Sequence, residues 1–350
     1  MSARPDVLVR GAGPVGCTLA LALRGSGLRV AVVDASAFRD PGFRPIALSF
    51  ASRLILERIG AWQGLAATPI EAIEVSQAGG FGRTHLAAAD AGVPALGYVT
   101  DYSSLLEVLR SQLHGLASRE EGEAACVVHA EGSSPEPPDK RYAQDALVGL
   151  VRTEPSSGSR AFERFTPEGP LALLPLAGRY ALVWCLRPER AGRLCAAPQA
   201  ELLGALSAAS GARAGRPVEI EALGVQPLSL RVRAARVAQR SVYIGNAAQT
   251  LHPVAGQGLN LGLRDAWELA QVLRSASDPG DAATLERYAA RRRLDAAATV
   301  RATDWLAGGF LGGSRAARAA RGAALTALDL LPGPRRFFAR RMIFGPSALP

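Results

Sequence analysis

The segment Asp6-Val-Leu-Val-Arg-Gly-Ala-Gly-Pro-Val-Gly16 joins a short apolar run to three closely spaced glycines, and an apolar helical run follows from Cys17. A second apolar run, Arg29 to Val33, ends on Asp34. An apolar strand, a glycine-rich turn, a helix and a second strand that ends on an acid form a Rossmann-like βαβ unit. The segment therefore predicts an α/β fold whose first domain binds a dinucleotide.

The residues of this pattern have separate physical roles. Gly11 makes the tight turn, Gly13 lets a pyrophosphate approach backbone N–H groups, and Gly16 allows the helix to pack closely on the strand. Asp34 lies 23 residues after Gly11 and can accept hydrogen bonds from the hydroxyls of an adenosine ribose. The pattern alone does not separate NAD from FAD.

A second glycine-rich segment is Val242-Tyr-Ile-Gly-Asn-Ala-Ala-Gln-Thr-Leu-His-Pro-Val-Ala-Gly-Gln-Gly-Leu-Asn260. It is predicted to run from a short strand through a turn into an amphipathic helix that begins near Leu259. Gly256 and Gly258 let the backbone come close to a flat ligand, and a helix start directs N–H groups and its positive dipole end at electron-rich atoms. Any one of these glycines alone would indicate only a turn.

The ordered string Gly-Asn-Ala-Ala-Gln, His-Pro and Ala-Gly-Gln-Gly-Leu-Asn in this segment resembles the flavin-contacting segment of the class A flavoprotein monooxygenases. It is most similar to the ubiquinone-biosynthesis hydroxylases of the 2-octaprenyl-6-methoxyphenol hydroxylase type. The resemblance selects FAD as the dinucleotide and makes His252 and Pro253 the candidate catalytic residues. It implies cofactor contacts at Asn246, Gly256, Gln257, Gly258, Leu259 and Asn260.

A third block, Phe43-Arg-Pro-Ile-Ala-Leu-Ser49 followed by Gly60-Ala-Trp62, is similar to another part of the same family. In that family the arginine near the start of the block contacts the flavin nucleotide, so the resemblance implies a cofactor contact at Arg44. The alternative is a solvated loop arginine. Ser49 is expected to be a helix N-cap or a turn residue and not a nucleophile, because no histidine and acid are placed to activate it.

The resemblance also implies an activity. FAD would be reduced by NAD(P)H, react with O2 to a C4a-hydroperoxide, and hydroxylate a (poly)prenylated phenol ring in ubiquinone biosynthesis. Two alternatives stay open. One is a flavin-binding but catalytically weak structural partner of a ubiquinone-synthesis assembly, and the other is a hydroxylase of a soluble aromatic compound.

The predicted architecture is a Rossmann-like FAD-binding domain with an interleaved α+β substrate domain and a C-terminal helical region. The predicted boundaries are 1–72, 101–135 and 242–290 for the FAD-binding domain, 73–100 and 136–241 for the substrate domain, and 291–350 for the helical region. Ile73 to Ser76 and Gly97 to Thr100 are expected to be paired strands, and residues 218–237 a strand pair. Compared with the family it resembles, the Rossmann part is expected to be contracted around 118–142. This region has room for one strand, Ala125 to His129.

Composition narrows the class of protein. The 350 residues carry a formal net charge of +9, and Lys140 is the one lysine. The sequence shows no basic repeat with interspersed aromatic residues and no zinc-finger spacing, so nothing in it indicates nucleic-acid binding. The four cysteines show no Cys-x-x-Cys pair, and the four histidines show no ligand spacing, so we expect buried thiols and no metal. No signal peptide or apolar membrane span is visible, so a cytoplasmic protein is expected.

The basic C-terminal tail, Pro334-Arg-Arg-Phe-Phe-Ala-Arg-Arg-Met-Ile-Phe344, mixes arginines with phenylalanines. Basic and aromatic residues on a short helix are typical of an anionic membrane interface, here the inner face of the cell membrane. The alternative is a packed helix with a solvated basic face.

Overall fold

The computed structural model describes residues 4–34, 42–116, 123–132, 137–156, 158–309 and 314–345. The strands in chain order are β1 (Val7–Arg10), β2 (Val30–Val33), β3 (Pro45–Ser49), β4 (Thr68–Ile70), β5 (Ala72–Gln77), β6 (Arg83–Ala87), β7 (Gly97–Asp101), β8 (Cys126–His129), β9 (Lys140–Glu154), β10 (Arg160–Phe165), β11 (Pro170–Leu176), β12 (Arg179–Leu186), β13 (Arg216–Val232), β14 (Val237–Ala238), β15 (Ser241–Tyr243) and β16 (Gln249–Thr250). The helices are α1 (Pro14–Ala22), α2 (Phe50–Arg58), α3 (Ala88–Ala91), α4 (Tyr102–Ser111), α5 (Pro188–Ala196), α6 (Gln199–Ser210), α7 (Gln257–Arg274), α8 (Ala282–Gly309), α9 (Arg315–Leu330) and α10 (Pro332–Phe344).

The first sheet has the strand order β14-β15-β8-β1-β2, and β15, β8, β1 and β2 run parallel. These short strands are mostly apolar, and Val7, Val9, Val32, Cys126, Val128 and Val242 are buried, as expected where helices cover both faces of a parallel sheet. Helices α1, α4 and α7 contribute to the same buried cluster. The predicted Rossmann-like unit is confirmed, with β1, α1 and β2 in the expected order.

The second sheet has the order β16-β13-β9-β12-β11-β10-β5-β6 and is antiparallel except where β10 pairs with β5. The strand pair expected in residues 218–237 is wrong. A single long strand, β13, follows β9 through three shifts of register, since extra residues at such bulges bend a strand without ending it. Residues 237 and 238 join the first sheet instead.

The third sheet is small, with the order β3-β7-β4. It corrects the expected pairing of Ile73 to Ser76 with Gly97 to Thr100. The first of these segments lies in β5 and pairs with β6 and β10, whereas the second lies in β7 and pairs with β3 and β4. The intervening α3 turns the chain from one sheet into the other.

The C-terminal helices close one side of the molecule, as the sequence predicts for this region. Helix α9 packs on β6, and α10 packs on α2 and α3, where Ala339, Ile343 and Phe344 are buried. Helix α8 is continuous across residue 291, where the helical region was expected to begin. The other domain boundaries stay predictions. In the described part of the chain, no helix has the length and apolar character needed to cross a membrane.

The region expected to be contracted is described over residues 123–132 and 137–142. It contains one strand there, β8, before β9 begins at Lys140. Residues 117–122 and 133–136 lie outside the described part.

Cys17, Cys126 and Cys185 are buried free thiols and Cys195 is a partly exposed one. Burial raises the pKa of Cys17 and of Cys126 to about 12, so both stay protonated at neutral pH.

Candidate functional site

One large cavity lies where the parallel strands of the first sheet end, beneath the inner face of the eight-stranded sheet. Its volume is about 1070 Å³, at the upper limit of what one small ligand needs. Of the predicted site residues, all but Gly16 line it, namely Gly11, Gly13, Asp34, Arg44, Asn246, His252, Pro253, Gly256, Gln257, Gly258, Leu259 and Asn260. The fold thus brings the two glycine-rich segments, far apart in sequence, to one cavity.

The glycines of the first turn differ in what surrounds them. A Cβ atom added at Gly16 would lie 2.0 Å from the carbonyl oxygen of Gly11, and one added at Gly11 would lie 2.7 Å from that of Ala130. A Cβ atom added at Gly13 would meet only the Tyr102 hydroxyl, at 3.7 Å. Gly13 caps α1 without a side-chain hydrogen bond, so the first N–H groups of the helix are left for a ligand.

Asp34 follows β2 at the rim of the cavity, and an arginine that the sequence reasoning missed contacts it. Nη2 of Arg110 lies 2.5 Å from Oδ2 of Asp34, and Nε of Arg110 donates to the carbonyl oxygen of Ala12 at 2.9 Å. Arg110 therefore ties the carboxylate to the glycine turn. Its position had a signal in the sequence, because Tyr102, Leu106 and Arg110 recur every fourth residue on α4 and line the cavity together.

Arg44 lies beside the start of α4. Its guanidinium carbon is 5.1 Å from the centre of the Tyr102 ring, and its backbone N–H donates to Oδ1 of Asp101 at 3.1 Å. The side chain is exposed and also lines the cavity. Tyr102, for which the resemblance implied no role, covers the space between Arg44 and Gly13.

The second glycine-rich segment begins α7. Gly256 caps this helix in the left-handed conformation, with φ at 58°, which favours glycine. A Cβ atom added at Gly256 would lie 3.2 Å from Cβ of Ala47, whereas one added at Gly258 would have no atom within 4 Å. Gly256 is therefore required by the backbone, and Gly258 leaves open space at the cavity.

Asn260 is buried, and its side chain is committed to protein atoms. Oδ1 accepts hydrogen bonds from the N–H of Ser49 at 2.8 Å and from Oγ of Ser52 at 2.7 Å. Nδ2 donates to the carbonyl oxygens of Ala47 at 2.8 Å and Gly256 at 2.6 Å. The side-chain amide thus holds the start of α7 against β3 and α2, and the predicted cofactor contact at Asn260 stays a prediction. Ser49 caps α2 as predicted, since its side chain accepts from the N–H of Ser52.

His252 follows β16, lines the cavity and is fully buried. Nδ1 accepts a hydrogen bond from the N–H of Val254 at 3.1 Å, so the neutral ring carries its proton on Nε2, which has no partner among the described protein atoms. Burial lowers the pKa of His252 to about 4. The ring is therefore neutral at physiological pH and can donate one hydrogen bond, and Pro253 beside it has no side-chain proton to exchange.

A buried ionic network fixes this segment from behind. Asp265 on α7 accepts hydrogen bonds from Nε of Arg292 at 2.7 Å, from Nε2 of Gln249 at 2.8 Å and from the N–H of Gly245 at 3.3 Å. Arg292 on α8 also contacts Asp295 at 2.6 Å. The turn after β15, which carries Asn246, is thereby held against α7 and α8.

The site has the properties that FAD requires of a protein. Helices α1 and α7 both begin at the cavity without side-chain caps, which suits a pyrophosphate and an electron-rich ring. Gly13 and Gly258 leave space that side chains would fill. Among the described residues, no cluster of three histidine, cysteine or acidic side chains could hold a metal ion.

Solved structures share this fold. p-Nitrophenol 4-monooxygenase PnpA from Pseudomonas putida DLL-E4 aligns with a TM-score of 0.77 and 18% identity over 97% of both chains. A variant of Klebsiella pneumoniae HpxO complexed with FAD aligns with a TM-score of 0.76 and 18% identity, over 99% of this chain and 100% of that one. The architecture is that of a class A flavin monooxygenase.

Comparisons of sequence define the family. A family model described as an FAD binding domain matches residues 118–303. The ubiquinone hydroxylase UbiL of Rhodospirillum rubrum is 33% identical over 346 residues, which cover 86% of this chain and 80% of that protein. The 3-demethoxyubiquinol 3-hydroxylase of Escherichia coli K12 is 29% identical over 336 residues, 83% of this chain and 86% of its own length. The chain belongs to the FAD-dependent aromatic monooxygenases of the ubiquinone-biosynthesis hydroxylase family.

Proposed function

We propose that this monooxygenase uses NAD(P)H and O2 to hydroxylate the ring of a prenylated phenol in ubiquinone biosynthesis. The observation that carries the proposal is one cavity with two unlike halves. The half beside α1 and α7 is built from glycine turns, backbone and the charged side chains of Asp34 and Arg44, which suits a dinucleotide. The other half is lined by apolar side chains, among them Leu174, Val183, Leu306, Leu328, Phe338 and Ile343.

The apolar half supports a substrate with a long hydrocarbon portion, because apolar surface is stabilised by contact with apolar surface. It is formed by the eight-stranded sheet on one side and by α8, α9 and α10 on the other. The names of the relatives, a ubiquinone hydroxylase and a 3-demethoxyubiquinol 3-hydroxylase, point to the same class of substrate. A small soluble phenol would leave most of this surface without contacts.

When bound, FAD supplies the redox chemistry, accepting a hydride from the nicotinamide cofactor and activating O2 for transfer of a hydroxyl group. The protein binds the cofactor and the substrate, orients them, and excludes water. The first turns of α1 and α7 direct N–H groups at the cofactor, and Asn260 holds α7 in register through the four hydrogen bonds of its amide. Neutral His252 offers its Nε2 proton as a hydrogen-bond donor. The apolar half keeps water from the reacting ring.

The same proposal includes a membrane surface as the source of the substrate. Leu330, Leu331 and Phe337 are exposed by 72%, 51% and 69%, and they surround the junction of α9 and α10. Ala339 and Ile343, further along α10, line the cavity. The exposed leucines lie at the end of α9 and just before α10, and the exposed Phe337 lies within α10. The same helix reaches the apolar half with Ala339 and Ile343, an arrangement that suits entry of a lipid.

The arginines of α10 are not equivalent at such a surface. Arg335 donates to Oδ1 of Asp90 at 3.1 Å and to the carbonyl oxygen of Asp329 at 2.6 Å, so it holds the helix to its neighbours. Arg336 and Arg340 are exposed and remain available to anionic lipid headgroups. The proposal assigns membrane attraction to these two and packing to Arg335.

The proposed activity is tested by combining the FAD-loaded protein with NADH or NADPH, O2 and ortho-prenylphenol. We expect consumption of the reduced nicotinamide to be accelerated by the phenol and to be matched by a hydroxylated product that carries one atom of O2. Bound FAD that is never reduced would contradict the proposal and favour a structural role. Efficient turnover of phenol without the prenyl group would favour a soluble substrate.

A further inference from the structure

Glu163 is an acidic residue in the apolar half of the cavity. It lies on β10 between Ala161 and Phe165, and because side chains alternate along a strand, these three residues share the face that lines the cavity. Its neighbours on the adjacent strands are Val75 on β5 and Ala172 on β11. Both of these side chains are apolar, and both line the cavity.

One oxygen of the carboxyl group lacks a protein partner in the described part of the chain. Oε1 of Glu163 is buried and receives no hydrogen bond from the described protein atoms. The titratable neighbour close enough to feel its charge is the Cys185 thiol on β12, while β5 and β11 present Val75 and Ala172. Burial raises the pKa of Glu163 to about 7. The other ionisable residues that line the cavity are Asp34, Arg44, Tyr102, Arg110, Glu131, His252 and Arg321.

A buried carboxyl group without a hydrogen bond is costly to the folded state, and a ligand that supplies the missing donor recovers that cost. The apolar side chains around Glu163 cannot bind a hydroxyl group, whereas a carboxylate accepts one strongly. We propose that Glu163 binds the phenolic hydroxyl of the aromatic substrate, as a carboxylate that accepts the O–H hydrogen bond. The inference rests on the proposed function for the class of substrate and adds the residue that orients its ring.

The protonation state of Glu163 gives this contact a signature. The ionised carboxylate can only accept, so it binds a phenol but repels the oxygen of the corresponding methyl ether. The protonated carboxyl can donate a hydrogen bond to the oxygen of the phenol or to that of the ether, so it discriminates poorly between the two ligands. The ligand itself does not titrate in this range, because a phenol has a pKa of about 10. The preference for phenol over ether should therefore increase as the pH rises through the pKa of Glu163.

The experiment measures the affinities of ortho-prenylphenol and ortho-prenylanisole for the FAD-loaded protein by calorimetry without NAD(P)H, at about pH 6 and about pH 8. Relative to the anisole, the phenol should gain about tenfold in affinity at the higher pH, as expected for a hydrogen bond to a charged group. In Glu163→Leu this gain should disappear. In Glu163→Gln a smaller preference should persist without pH dependence, because an amide accepts and donates at every pH.

Glu74→Gln is the matched control. Glu74 lies on the neighbouring strand β5, on the opposite face of the sheet, where it pairs with Arg213, and its variant should behave like the parent protein. A pH-dependent preference that survives in Glu163→Leu would overturn the inference, and so would its absence from the parent protein. If the parent protein shows the preference but forms no product with NAD(P)H and O2, the proposed function fails while the binding role of Glu163 stands. Melting curves establish that the variants are folded.

Discussion

Asn260 and Gly258 lie two positions apart on the first turn of α7 and have opposite surroundings. The amide of Asn260 is buried and makes four hydrogen bonds to protein atoms. Gly258 has no neighbouring atom within 4 Å of a Cβ position. At the residue scale, the amide determines where the helix starts, and the glycine determines how much room a ligand finds there.

His252 should make the stability of the protein depend on pH. Its pKa of about 4 in the folded state lies below the value of about 6.5 expected in the unfolded chain. The contribution of neutral His252 to the free energy of unfolding is therefore complete above pH 6.5. It is lost as the pH falls towards 4, because the unfolded state binds the proton more readily. At pH 5 the loss should be about 2 kcal/mol.

Urea unfolding of the parent protein, His252→Gln and His85→Gln between about pH 5 and pH 7 measures this effect. His85 is exposed on β6, so its variant should follow the parent protein. The free energy of unfolding of His252→Gln should change less with pH. Equal slopes in all three proteins would show that His252 is not buried in its neutral form.

At the scale of elements, α7 connects the cavity to the ionic network behind it. Its first turn carries the open glycine, and Asp265, two turns later, receives hydrogen bonds from the strand end at Gly245 and from Arg292 on α8. Arg292 and Asp265 are 3% and 0% exposed at their side chains. Asp265 also contacts Arg236 at 3.4 Å, and Asp295 also pairs with Arg264 at 2.8 Å. Removing Arg292 therefore weakens a buried network without leaving either carboxylate alone, which is still more costly than losing a surface ion pair.

Arg292→Met should therefore lower the free energy of unfolding by about 1.5 to 3 kcal/mol. Arg291→Met is the matched control, because Arg291 precedes it on α8 and forms an exposed pair with Glu268 at 3.6 Å. That change should cost less than about 1 kcal/mol. Urea unfolding compares the two variants. Similar losses in both would indicate that Arg236 and Arg264 compensate fully for the loss of Arg292.

The elements that could be predicted from sequence are those with local signals. The turn from Gly11 to Gly16, the start of α7 and the cap at Ser49 follow from glycine spacing, helix periodicity and capping residues. The course of β13 could not be predicted, because its register shifts depend on β9, more than 60 residues away. The partners of β5 and β7 were likewise set by tertiary pairing, which a single strand pattern does not encode.

At the scale of the whole molecule, the cavity combines residues from both ends of the chain. Gly13 and Asp34 lie near the start, and Ile343 lies near the end. The first glycine pattern and the family resemblance together predicted residues that line the nucleotide half, because those residues lie in recognisable motifs. Glu163 could not be singled out, because an acid within a strand indicates a solvated face until the sheet is known to cover a cavity.

The proposed membrane attraction belongs to the whole surface around α9 and α10. Flotation with vesicles that contain about one third phosphatidylglycerol should carry the parent protein upward, and the Leu331→Ser/Phe337→Ser variant should remain mostly at the bottom. Leu294→Ser removes an equally exposed leucine, 73% accessible, from α8 and should float like the parent protein. If both variants float equally, the apolar junction is not the membrane contact.

The central claim is that the two glycine-rich segments hold FAD in this one cavity, and an FAD titration of Gly13→Val and Gly258→Leu tests it most directly. The protein alone has room for a Cβ atom at both positions, so the melting temperatures without FAD should stay close to that of the parent protein. FAD binding, followed by quenching of flavin fluorescence, should weaken at least about tenfold in each variant, since the new side chains occupy ligand space. Gly204→Leu, on the exposed side of α6, should bind FAD like the parent protein. Unchanged FAD affinity in Gly13→Val and Gly258→Leu would contradict the account.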